Sequence, residues 1–511
     1  MRLAGLAAVS VAAATLAAGC GSQGERRSAP SPTATATRSG DAPSATPEPR
    51  RTPDDGAHDW TRFGYDAART NHGPAGIAPT DLDGLRERRI ALPGTVDSSP
   101  IYLAHVRVRG AAHDVVVMTT TYGRTLALDA DSGRELWRFQ PASYERVAGS
   151  AQITNATPVA DPGRRFLYAA SPDGVIHKLR VADGSEVRAG GWPASLTRDA
   201  THEKIAPALN LDGRWVLATT GGYIGDAPPY QGKVVAIDRD SGRIAHVLNS
   251  LCSDRRQIIV PSSCPASDSA IWGRAGAVVD TASHRIYATT GNAPFDGRTN
   301  WGDSVLELSP GAADLLRHYT PTDQQQMEAA DVDLGSTSPA LLPAPDGGRG
   351  ARFLLQGGKD ARLRLLALDG SLFGVTGDAG RRLGGERQIV AAPGGQAVFT
   401  APAVLHRRGL TEAFVATGGG TLALRLEGDR LHEAWSNDTA GTSPVIAGNV
   451  LWVYDPDGAL NAYRPSDGRL LRRLPAPPGH WNSPIVAGGR VYLPSGDANR
   501  HETTGTLSVY G

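Results

Sequence analysis

Beyond residue 60 the chain is a succession of short runs in which apolar and polar residues alternate, with Gly, Asp, Ser or Pro between them. A period of two predicts strands, and Asp-x-x-Gly or Asp-Gly junctions predict tight antiparallel turns. No segment after residue 20 keeps the three-and-four apolar spacing over the roughly ten residues that an amphipathic helix requires. The pattern is therefore all-β.

The runs recur as a unit: a small residue and Pro or Ala, a short apolar strand, a second strand, a third strand and a turn. Eight starts follow one another as SSPIYL from Ser98, NATPVA from Asn155, IAPALN from Ile205, AGAVVD from Ala275, TSPALL from Thr337, TAPAVL from Thr400, TSPVIA from Thr442 and NSPIVA from Asn482. Residues 98 to 511 divide into units of about 50, near the roughly 40–45 of a four-stranded blade with insertions. This predicts an eight-bladed β-propeller of four-stranded antiparallel blades. The last unit stops after its third strand, so residues 85–92 near the start are expected to supply its outer strand and close the ring.

The first sixty residues differ in kind. Arg2 precedes an apolar run from Leu3 to Ala18 that is too short to span a bilayer. It ends in Leu16-Ala17-Ala18-Gly19-Cys20, which resembles a bacterial lipobox, with Ala17 where a larger residue is usual. The resemblance implies a signal peptide over 1–20, lipidation of Cys20 and a place outside the cytoplasm, anchored to the cell membrane as a lipoprotein; simple secretion is the alternative. Residues 21–59 are Ser, Thr, Pro, Ala and charge, too poor in apolar side chains to offset ordering entropy, and are expected to be a disordered tether. The propeller then occupies 60–511.

Composition narrows function by exclusion. Lys plus Arg and Asp plus Glu are both 52, so no net charge points to nucleic acid. There is no His-Glu-x-x-His, Gly-x-Ser-x-Gly or phosphate-cradling loop. Asp129-Ala130-Asp131-Ser132-Gly133 begins like a calcium loop, but Gln140 falls where the closing glutamate belongs, so it reads as a turn. Trp137, Trp435 and Trp452 read as packing between blades. Cys252 and Cys264 are either a disulfide, which would close a loop of about a dozen residues for roughly 3 kcal/mol, or two buried thiols.

The units LALDADSGRELW and NAYRPSDGRLL resemble the pyrroloquinoline-quinone (PQQ) type of propeller repeat. That family includes PQQ-dependent alcohol dehydrogenases, polyvinyl-alcohol dehydrogenases and the scaffold lipoprotein BamB. The dehydrogenase branch implies PQQ and calcium as cofactors. On the matching positions it implies Trp272 as an aromatic floor, Asn292 of Thr290-Gly291-Asn292 as a calcium ligand, Asp331 or Asp333 as catalytic carboxylate, and Lys359 as the basic residue meeting the quinone. Asn292 and Asp303 have a plainer reading too, as side chains bonding loop backbone.

Three departures weigh against that branch. Thr220-Gly221-Gly222-Tyr223 puts a phenol where the calcium-binding glutamate belongs, no vicinal cysteine pair is present, and no haem-attachment motif occurs. The expectation is accordingly a binding or scaffold propeller with no cofactor assigned. Its partner would be a cell-envelope protein or a ligand on a propeller face formed by the long connections at 189–204, 223–232, 250–272 and 293–303. The alternative is a PQQ- and calcium-dependent dehydrogenase oxidising an alcohol or sugar.

Overall fold

The computed structural model describes residues 58–347, 350–369 and 383–511, with the backbone of Gly374–Val375. Residues 1–57, on which the expected leader, the expected lipidation at Cys20 and nearly all of the expected tether fall, lie outside the described residues.

The eight units form eight sheets, each built on four antiparallel strands. Their innermost strands are Ile101–Val108, Val159–Ala160, Asn210–Asp212, Val278–Val279, Ala340–Pro343, Ala403–Arg407, Val445–Ala447 and Ile485–Ala487. In the eighth sheet the chain supplies Ile485–Ala487, Arg490–Ser495 and Gly505–Tyr510. Glu87–Leu92 pairs antiparallel with the last of these, from Glu87 opposite Tyr510 to Leu92 opposite Gly505. The C-terminal strand thus gains a partner for its otherwise open edge.

Each blade buries both faces, because each is sandwiched between neighbours. Eight apolar clusters fill the eight gaps: Leu126 and Tyr492 between blades one and eight, Ile101 and Leu167 between one and two, Ile176 and Leu209 between two and three, and so on round the ring. Second strands are therefore nearly continuous in apolar residues, as in VVVM at 115–118 and VLWVY at 450–454.

Tryptophans on outer strands lock the gaps. Trp137 donates its indole N–H to the Val181 carbonyl of the second blade at 2.8 Å, and Trp435 does the same to Pro465 of the seventh at 2.7 Å. Each ring lies flush against a turn glycine. A Cβ on Gly184 (φ 74°) would stand 2.5 Å from Trp137, and one on Gly468 (φ 68°) 2.5 Å from Trp435. Only glycine adopts that left-handed backbone cheaply while leaving room for the indole. Trp452 is fully buried between the seventh and eighth blades.

Residues 59–73 run across the blades before the ring begins. Carbonyls of Thr61, Ala67, Thr70 and Asn71 accept from the amides of Ala160, Val279, Val404 and Ile446, in blades two, four, six and seven. Phe63 packs among Ala208, Val278, Leu341 and Ala401 from four blades. The segment thus plugs the axis at the end where innermost strands finish. Cys252 and Cys264 are disulfide-bonded, pinning a loop of the third insertion.

Candidate functional site

Opposite the plug, the loops that lead into innermost strands and the loops that follow second strands surround a cavity of about 240 Å³. Asn155, Lys204, Trp272, Arg274, Asp333, His480 and Trp481 come from the leading loops. Tyr223, Asp226, Asn292, Lys359 and Asn499 come from the loops after second strands. Both kinds of loop emerge on the same face because paired antiparallel strands start and finish at the same end.

The floor is aromatic. Trp272, Phe399 and Trp481, from blades four, six and eight, have ring centroids 5.8 to 5.9 Å apart, and His480 stacks on Trp481 at 4.2 Å. Trp272 and Trp481 face the cavity. Such a surface accepts the flat face of a conjugated ring.

One wall is cationic. Arg274 is 6% exposed; its Nη2 donates to the Asp97 carbonyl at 2.6 Å, its guanidinium lies 5.3 Å over Trp481, and its Nε has no hydrogen-bond partner. Lys204 lies 5.5 Å over the Tyr223 ring, and among the described residues its ammonium makes no ion pair. Burial, with Arg274 nearby, lowers its pKa to about 8. The Asp97 charge offsets part of the cost of burying both cations, and Asp226 adds to it for Lys204. Among the described residues neither cation forms an ion pair, so the wall still favours anionic groups, carboxylates above all. His480 and Asn155 complete it: the His480 Nδ1 lies 2.8 Å from Asp97 Oδ2, to which Asn155 Nδ2 donates at 3.2 Å.

The opposite wall carries a carboxylate in a fixed orientation. Asp333 Oδ1 accepts from the Asn292 amide at 2.7 Å, and Oδ2 is 2.6 Å from the Lys359 ammonium. Burial pushes the Asp333 carboxyl above the usual carboxylate range, although Lys359 opposes it. Burial also works against the charge on Lys359, but Asp333 outweighs it and holds the ammonium above the usual lysine range. Lys359 Nζ stands 5.7 Å over the Trp272 ring, where it faces the edge of anything stacked there.

Trp272, Asn292, Asp333 and Lys359 therefore line one cavity. Asp331 does not line it: its side chain is 61% exposed and meets Lys359 from outside, at 3.2 Å. Asp303 is buried behind the site, where its Oδ1 accepts from the Leu334 amide at 3.0 Å and holds the Asp333 loop in place. Phe399, Trp481, Lys204, Arg274 and His480 were not found from sequence. Their repeat phase was the available signal, because Lys204, Arg274 and Trp481 each stand immediately before the start of a repeat unit, at Ile205, Ala275 and Asn482.

These residues fit PQQ, a planar tricarboxylate o-quinone, through the aromatic floor and the two cations Lys204 and Arg274 that line the cavity. They do not fit calcium. Both oxygens of Asp333 are engaged, and Asp226 Oδ1 accepts from the Tyr230 hydroxyl at 2.9 Å. The Tyr223 hydroxyl donates to the Ala200 carbonyl at 2.9 Å, and burial raises its pKa, so it offers no anionic oxygen. Among the described residues, Asp97, His480 and Asp497 form the group with metal-ligand spacing. Asp97 is there a hydrogen-bond hub, already accepting from Asn155, His480, Trp481 and Ala498.

Known proteins share the architecture. A family profile described as outer membrane protein assembly factor BamB matches residues 53–257. The quinohemoprotein alcohol dehydrogenase ADH IIB of Pseudomonas putida is 26% identical over 275 residues, which is 46% of this chain and only 38% of that protein's length. The crystal structure of quinohemoprotein alcohol dehydrogenase from Comamonas testosteroni superposes with TM-score 0.65 at 16% identity, over 89% of this chain and 80% of that one. A europium-containing methanol dehydrogenase gives 0.63 at 14% identity, over 89% and 98%. At such identities the structural likeness speaks for the fold.

Proposed function

We propose, for a chain that belongs to the PQQ-like β-propeller repeat family, that the axial cavity binds a planar polycarboxylate quinone of the PQQ class and oxidises an alcohol or sugar hydroxyl beside it. The observation that carries this reading is the convergence of Trp272, Asp333, Lys359, Lys204 and Arg274 on one cavity.

Trp272 and Trp481 would take the ring face, Arg274, Lys204 and Asn155 its carboxylates, and Lys359 its polar edge. The bound quinone would supply the acceptor for the hydride equivalent leaving the carbinol carbon. Asp333 is the residue placed to take the hydroxyl proton. Its two engaged oxygens fix its direction, and its raised pKa makes it a stronger base than an exposed aspartate. Lys359 stays charged through that transfer and restrains the loop that carries Asp333. Ile224, 69% exposed at the cavity mouth, presents an apolar surface to an incoming substrate.

The test is dye-linked oxidation of short alcohols and aldoses by the full-length chain with added PQQ. Turnover that disappears in Asp333→Asn supports the reading. Binding of PQQ without turnover on any alcohol or aldose would favour a second reading, a ligand-binding or scaffold propeller held to the membrane by lipid at Cys20. The missing calcium carboxylate and the tether composition motivate that second reading.

A further inference from the structure

We infer that this cavity binds its quinone ligand without a divalent or lanthanide ion, with the Lys359 ammonium as the cation at the ligand's polar edge. The inference rests on the quinone reading above and concerns the cation alone.

A hard cation takes about six to eight oxygen ligands, preferably anionic ones. A tridentate ligand edge leaves at least three for the protein. The residues lining this side of the cavity offer the Asn292 side-chain oxygen and the second oxygen of Asp226. Asp268 stands behind them, engaged with Tyr230 and outside the lining, and both Asp333 oxygens are held, by the Asn292 backbone amide and by Lys359. Tyr223 uses its hydroxyl as a donor to backbone carbonyls of Ala200 and Pro172. The wall has therefore exchanged a carboxylate ligand for a neutral donor that faces away.

What it supplies instead is fixed positive charge. Lys359 is anchored by Asp333 at 2.6 Å and by Asp331 at 3.2 Å, and stands over Trp272, so no rearrangement is needed for it to meet a stacked ring. A dication close to that ammonium would suffer like-charge repulsion in a half-buried site, where screening is weak. Lys204 and Arg274 answer the ligand's carboxylates from the far wall, so neutralising the ligand does not call for a metal.

Equilibrium dialysis of PQQ against the full-length chain, read by the absorbance of PQQ itself, decides the matter. The expected result is the same dissociation constant, within about twofold, in excess chelator, in millimolar calcium and in millimolar europium ion. Lys359→Met should weaken binding at least tenfold in all three, and Lys359→Arg should restore most of it; unchanged circular dichroism shows that each variant is folded. Binding that appears only with calcium or europium overturns the inference while leaving the quinone reading intact. Binding unaffected by Lys359→Met overturns the role of the ammonium. No binding in any of the three buffers overturns both.

Discussion

The Lys359 ammonium and the Asp333 carboxylate meet at 2.6 Å across two loops of the fifth blade, one leading into its inner strand and one following its second strand. The pair ties the proposed base to the proposed quinone-facing cation, so neither side chain is free to turn from the cavity. Its chemistry makes the first prediction.

Asp333→Asn keeps the shape and the acceptor for the Asn292 amide but removes the base and the counter-ion of Lys359. Turnover with PQQ and alcohol should fall by about 10²-fold or more, in line with the loss of a general base. Quinone affinity should hold or rise, because Lys359 is released to the ligand. Parallel kinetics and dialysis check this.

Lys204 sets function against stability. Its pKa is lowered to about 8 from 10.5 by burial, so below pH 8 the folded state carries a charge that it disfavours. Between pH 8 and 10.5 the unfolded chain holds more protons than the native one, and stability rises with pH in that window. Lys204→Met should stabilise the ligand-free protein by on the order of 2 kcal/mol at pH 7. The gain should vanish above pH 10.5, and PQQ affinity should fall. Thermal melts across that range read the first effect, and dialysis the second.

How much of this was legible in the sequence differs between fold and site. The blades were, because turn glycines such as Gly184 and Gly468 and the small-Pro starts recur in fixed phase. The residues that reach the cavity were legible only where a family motif marked them, as at Trp272, Asn292, Asp333 and Lys359. Arg274 and Lys204 are single basic residues in unremarkable segments, and only closure of the ring brings Arg274 over Trp481, some 200 positions further on. Asp331 and Asp333 are adjacent alternatives in sequence, and it is the left-handed backbone at Asp331 (φ 52°) and the turn after it that send one outward and the other in.

Asp303 gives a pH dependence of opposite sign. Burial raises its carboxyl to about 8, against the opposing pull of the Leu334 amide and Gln324. Its contribution to stability is complete below about pH 4, where both states are protonated, and is lost as pH rises through 8. Asp303→Asn keeps an acceptor for the Leu334 amide and removes the charge. It should raise the melting temperature at pH 8 clearly more than at pH 5.

The tryptophan locks predict stability without function. Gly184→Ala would force a methyl to 2.5 Å from Trp137 at a left-handed backbone position, and should cost about 1–3 kcal/mol. Chemical denaturation of that variant checks it, and PQQ affinity at low temperature should be unchanged because Gly184 is not among the residues lining the cavity.

The central claim is that the axial cavity holds a planar polycarboxylate quinone, and isothermal titration of PQQ into the full-length chain and its Arg274→Gln variant tests it most directly. One molecule bound per chain, with affinity lost at least tenfold on removing the guanidinium, is the predicted result. No heat of binding, or equal affinity in the variant, would contradict it.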